Sequence, residues 1–119
     1  MIEPKDKKII HKELAAGRWF TFSLVKQLAN VGIDVERTIQ WKNKGNMEYS
    51  TDACIRALEL LDLTIADPKN KGARRKEICR AREALVDHFI YSNEYATTDE
   101  SWQKYFFAFN YAAALQRGR

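Results

Sequence analysis

From His11 to Lys44 the chain reads HKELAAGRWFTFSLVKQLANVGIDVERTIQWKNK, a stretch without proline whose apolar residues keep a helical interval. Leu24, Val25, Leu28, Val31, Val35 and Ile39 recur every three or four positions, which lays them along one face of an α-helix. The pattern predicts one long amphipathic helix from His11 to Lys44. Its weak point is Asn30-Val31-Gly32-Ile33-Asp34, where Gly32 has the form of a helix stop and Asp34 of a new cap. Leu28, Val31, Val35 and Ile39 hold one phase across that glycine, so a continuous or gently kinked helix is expected.

Lys-Asn-Lys-Gly-Asn after Trp41 is a polar stop. Ser50 or Thr51 is the expected cap of a second helix to Ala66, with Cys54, Leu58, Leu61 and Ile65 inward, and Asp67-Pro68 ends it. A third helix is expected from Ala73 to Tyr91, with Ile78, Ala81, Leu85 and Phe89 inward. Thr97-Thr98-Asp99-Glu100 has the form of a capping box with Thr97 as cap. It opens a last helix, Thr98 to Gln116, carrying Trp102, Tyr105, Phe106, Phe109, Ala112 and Ala113 on one side.

Four helices with short connections predict an all-α, up-down-up-down four-helix bundle. Residues 1–8, with Pro4 and three lysines, read as a flexible basic arm, and 9–119 as a single domain. At 1.5 Å per residue the first helix would be roughly 50 Å long and the others roughly 24 to 29 Å. An apolar overhang of that size invites association, so a homodimer or higher homo-oligomer is expected.

Cys54 and Cys79 sit in helical patterns without CxxC spacing and read as small core residues of a reduced, cytoplasmic protein. The start, MIEPKDKKIIHKE, has no apolar run of the length a signal peptide needs and no later segment reaches the ~18 apolar residues of a membrane span, so no membrane partner is expected.

A net charge of +4 permits a polyanionic partner without requiring one. In the expected topology one end of the bundle collects Lys69, Lys71, Arg74, Arg75 and Lys76 with the arm lysines, while the other has Lys42 and Lys44 but also Glu48, Asp52, Asp87, Glu94, Asp99 and Glu100. Cations in the first turn of a helix oppose its dipole. Lys69, Lys71, Arg74, Arg75 and Lys76 are therefore the candidate anion-binding residues, for nucleic acid or another polyanion at the basic end. The plainer reading is a solvated face, or pairing with Asp62 and Asp67.

His11, Glu13 and Arg18 form a candidate polar cluster near the start of the first helix, but no nucleophile or second base is placed beside them. No histidine has a glutamate three residues before it, which removes a di-metal carboxylate bundle. Zinc spacing and a glycine-rich phosphate loop are absent too, so no metal or cofactor is expected. The aromatic residues exceed what one buried stripe holds, since adjacent Phe106 and Phe107 face apart on a helix. A second surface, the oligomer interface or a base-stacking platform, must carry some of them.

Arg82 and His88, with five residues between them in Arg-Glu-Ala-Leu-Val-Asp-His, resemble the R-x(4–6)-H motif of HEPN domains, helical bundles that often dimerise and act as metal-independent RNases. That resemblance implies Arg82 stabilising phosphate charge and His88 acting on the ribose hydroxyl or the leaving group. The strings HKELAAGRW, VKQLANVGIDVERTIQWKNKGN and RALELLDLTIADPKN resemble a family of short prokaryotic helical proteins, which implies a helical bundle and carries no activity across. The expectation is a non-enzymatic oligomeric bundle acting through binding, with a nucleic-acid-associated protein using Arg82 and His88 as the alternative.

Overall fold

The computed structural model describes residues 16–118, which form an all-α fold of four helices. These are α1 (Leu24–Asn43), α2 (Met47–Ala66), α3 (Ala73–Phe89) and α4 (Asp99–Arg117), with short 3-10 turns at Arg18–Thr21 and Pro68–Asn70. Helix α1 lies between α2 and α4, and α3 packs on α2. Contacts between named ends show that α1 runs antiparallel to α2 and to α4. Ser50 near the start of α2 donates to the carbonyl of Thr38 near the end of α1 (2.8 Å), and Ser23, capping α1, donates to Gln116 at the end of α4 (3.3 Å). Arg82 on α3 reaches Asp62 near the end of α2. The expected up-down-up-down bundle is the one that forms.

The apolar phase read from the sequence is the core. Leu28, Val31, Val35 and Ile39 of α1 meet Cys54, Leu58 and Leu61 of α2, Ile78 and Leu85 of α3, and Trp102 and Phe106 of α4. Full burial of each large side chain contributes about 1.5 to 3 kcal/mol, which closes the fold without a disulfide; both cysteines are free, Cys54 buried and Cys79 partly so.

Helix α1 runs without a break through Gly32, and the reason for the glycine lies on α4. A Cβ built there would stand 2.7 Å from Phe106 Cβ and 3.1 Å from Phe106 Cγ. Glycine is what lets α4 lie so close to α1.

The long first helix is corrected at its amino-terminal end. Gly17 has φ +123°, Arg18–Thr21 is a 3-10 turn and Phe22 is extended. Ser23 then caps α1 by accepting the Lys26 N–H (3.2 Å). The cause is Trp19, 1% exposed, whose indole N–H donates to Thr64 Oγ1 (3.0 Å) and turns the chain inward where a straight helix would carry on. Helix α1 thus has 20 residues, about 30 Å, like its neighbours, and over the described residues the overhang disappears. Residues 11–15 of the expected helix lie outside the described residues, as does the arm at 1–8.

Three boundaries also move. Asn46, not Ser50 or Thr51, caps α2 by accepting the Tyr49 N–H, and Ser50 is buried against α1. Helix α3 ends at Phe89 rather than Tyr91, because Asp87 accepts the backbone N–H groups of Glu94 (2.9 Å) and Tyr95 (3.0 Å) and turns the loop. The capping box of α4 is Thr98 with Ser101, one residue on from Thr97 with Glu100; Thr97 instead accepts the Trp102 indole N–H (3.0 Å).

Candidate functional site

Three places on this frame bring chemically distinct side chains together. The first is a buried polar cluster where the Trp19 turn meets the α2–α3 connection. Gln27, 0% exposed, donates to the Trp19 carbonyl (3.0 Å) and to Asp67 Oδ2 (2.8 Å). Asn70 donates to Gln27 Oε1 (2.9 Å) and to the Thr64 carbonyl (3.1 Å). Lys69 Nζ contacts the Asp67 carboxylate and donates to the Phe20 carbonyl (2.9 Å). Burial pushes the Asp67 carboxyl up, but hydrogen bonds from Lys69 and Gln27, the Lys69 backbone N–H and the Lys69 charge together hold it below the ordinary 3.8. The cluster is a latch that seats the amino-terminal turn on α2.

That latch takes two of the five candidate anion-binding cations. Lys69 is engaged as described, and Arg75 donates to the Asp67 carbonyl (3.3 Å). Lys71, Arg74 and Lys76 are exposed around the first turn of α3, which has no acidic residue and no side-chain cap at Gly72. Arg74 and Glu77 line a shallow groove of about 330 Å³ with Leu24, Leu28, Ile78 and Phe109. Arg18 is exposed on the 3-10 turn, 5.9 Å from the Phe22 ring centroid; His11 and Glu13 lie outside the described residues, so the structure does not place this cluster.

The second place holds His88. Its Nε2 is 2.8 Å from Asp99 Oδ1, which also accepts from Lys42 Nζ (2.7 Å), so one carboxylate ties α1, α3 and α4 together. Burial raises the Asp99 carboxyl, and hydrogen bonds from Lys42 and His88 with their charges outweigh it, leaving the group below its ordinary value. Arg82, two turns earlier on α3, faces α2 and donates to Asp62 Oδ1 (2.7 Å). The two residues of the R-x(4–6)-H spacing are each held by a different carboxylate from a different helix, and no hydrogen bond joins them. Tyr105 on α4 donates to Glu77 (3.4 Å), and burial followed by the Glu77 charge pushes its phenol up to about 12.

The third place is the outer face of α4. Phe106 is 4% exposed and its neighbour Phe107 is 65% exposed, the opposed placement expected of adjacent residues on a helix. Phe107 stacks with Tyr111 one turn on (centroids 6.4 Å, planes at 27°), and Tyr111 and Leu115 are 60% and 52% exposed. Glu100 and Lys104 carry the same ridge toward the start of the helix. Beside it, Gly32, Glu36, Gln103, Phe107 and Asn110 line a shallow recess of about 310 Å³ between α1 and α4. Gln103 donates to Glu36 across its edge (3.1 Å).

Sequence reasoning offered Asp67 as a partner of the basic end, but it missed Gln27, Thr64 and Asn70 around that carboxylate and the Lys42–Asp99–His88 tie. Gln27 gives a signal for the first, a polar residue at a position that shares the buried stripe with Val31 and Val35. Nothing local marks the second, because its partners come from three helices.

Among the described residues no group of histidine, cysteine, aspartate and glutamate side chains has the arrangement of a metal site, and no helix is long and apolar enough to cross a membrane. Comparison with known protein families, with characterised proteins and with solved structures finds no match to this chain.

Proposed function

We propose that this protein works by binding rather than by catalysis, and that the outer face of α4 is its docking surface. The observation that carries the reading is the stacked Phe107–Tyr111 pair on the solvent side of α4, continued by Leu115. Large aromatic side chains in water forgo roughly 1.5 to 3 kcal/mol each of burial, and interface cores are enriched in them. The titratable groups support the same reading. Arg82, His88, Asp99 and Asp67 are each engaged in ties between elements of the bundle.

Hydroxyl-radical footprinting tests the docking reading, with Tyr95 as internal standard because it is 62% exposed, close to Tyr111. Oxidation of Tyr111 relative to Tyr95 is expected to fall in cells producing the full chain, compared with dilute purified protein. An equal ratio in both settings refutes the reading.

The basic end supports a second, narrower reading. Lys71, Arg74 and Lys76 surround an uncapped helix start without an acidic residue, a placement suited to a polyanion. With Lys69 and Arg75 held at Asp67, three cations remain from the five candidates, and counterion release at these three contributes about −3 to the salt slope. Absence of RNA or DNA binding at low salt removes this reading.

A further inference from the structure

We infer that the occupant of the α4 face is a second copy of this chain, its α4 laid antiparallel on the first about a two-fold axis between Phe107 and Tyr111. The inference rests on the docking reading above and adds the partner and its register.

The solvent ridge of α4 consists of Glu100, Lys104, Phe107, Tyr111 and Ala114, spaced four, three, four and three residues apart and all exposed. A two-fold pairing requires one patch that is complementary to itself. Rotating the ridge about its aromatic centre sets Phe107 on the partner's Tyr111 and Tyr111 on the partner's Phe107. Lys104 then faces the partner's Ala114, where the small side chain leaves room for the lysine stem, and Leu115 packs beside that stem.

Charge fixes the direction. Helix α4 opens with Asp99 and Glu100 in its first turn and closes with Arg117 in its last. Asp99 belongs to Lys42 and His88, whereas Glu100 and Arg117 are exposed. Antiparallel pairing brings the partner's Arg117 to Glu100 and to Glu36, which Gln103 holds at the edge of the recess. A parallel pairing would set acidic turn on acidic turn and align the two helix dipoles, both unfavourable.

Size sets the strength. Nineteen residues make a strip about 28 Å long and one helix wide, roughly 350 Å² per partner, under half of the usual ~800 Å². The dimer is therefore weak and assembles with concentration.

Sedimentation of the purified full chain from about 1 µM to about 1 mM tests this, with circular dichroism confirming that each variant stays folded. A monomer–dimer equilibrium with Kd of order 10 to 100 µM is expected. Phe107→Ala occurs twice in a two-fold interface and should weaken association at least tenfold. Glu100→Arg and Arg117→Glu should each weaken it several-fold, and together associate better than either alone. A monomer at every concentration overturns the self-pairing, as does a dimer indifferent to Phe107→Ala and to both charge reversals. If the protein stays monomeric while Tyr111 is shielded in cells, the docking reading stands and the occupant is another molecule. If Tyr111 is already shielded in the dilute monomer and deleting residues 1–15 uncovers it, the cover is the chain's own first segment and the self-pairing fails.

Discussion

Gly32→Ala is the substitution that most directly tests how α1 and α4 meet. In an ordinary helix interior the change stabilises by about 1 kcal/mol, through better helix propensity and a less flexible unfolded chain. Here the new methyl would stand 2.7 Å from Phe106 Cβ, 3.1 Å from Cγ and 3.3 Å from Cδ1. The nearest atom is fixed to the backbone of α4, so a rotamer change cannot clear it, and the helices must part by several tenths of an ångström. Overpacking of a core contact costs about 1 to 3 kcal/mol, with this site at the upper part of that range because both sides are helix. Subtracting the propensity gain leaves a net loss of about 1 to 2 kcal/mol, or roughly 4 to 8 °C in Tm for a domain of this size. Urea and thermal unfolding, followed by tryptophan fluorescence, measure it. An unchanged or raised midpoint would refute the close approach of α4 at Gly32.

Three further substitutions probe the remaining joints. Ser23→Ala removes the N-cap of α1 and should cost about 1 kcal/mol in denaturant unfolding; a helix continuing through residue 23 would instead gain stability from alanine. Asp67→Asn should flatten the acid limb of stability against pH. The folded carboxyl lies below its ordinary 3.8, so its contribution is present above that value and is lost as pH falls through the folded pKa. Equal acid sensitivity in wild type and variant would show that the carboxylate is not held by Lys69 and Gln27. Asp99→Asn should lower stability at neutral pH by about 1 to 3 kcal/mol by leaving Lys42 and His88 without their carboxylate, with an acid limb flattened in the same sense. A neutral result in chemical denaturation would show that the tie contributes nothing.

The apolar stripes were legible because period alone sets them: Leu28, Val31, Val35 and Ile39 are all buried, and Phe106 and Phe107 divide between core and solvent as their spacing requires. The Asp67-Pro68 stop was legible for a steric reason local to two residues. The start of α1 was not. Trp19, Phe20 and Phe22 keep the stretch apolar and no proline interrupts it, while the break comes from Gly17 at positive φ and from Trp19 bonding to Thr64, forty-five residues away. Adjacent threonines made the α4 cap ambiguous by one position, which only the hydrogen bonds of Thr97 and Thr98 resolve. Arg82 and His88 could be picked out as a pair by spacing, but the carboxylates that hold them, Asp62 and Asp99, are brought in by other helices.

The latch around Asp67 constrains how this sequence can vary. Trp19, Gln27, Thr64, Asp67 and Asn70 each satisfy a polar group of another member, and all are nearly sealed from water. Exchanging one strands its partner at about 1 to 3 kcal/mol, whereas exchanging the set for well-fitted apolar residues strands none. Drift at these positions is therefore coupled. Single-site replacement is penalised, and a viable path to a dry version of this joint passes through intermediates less stable than either end.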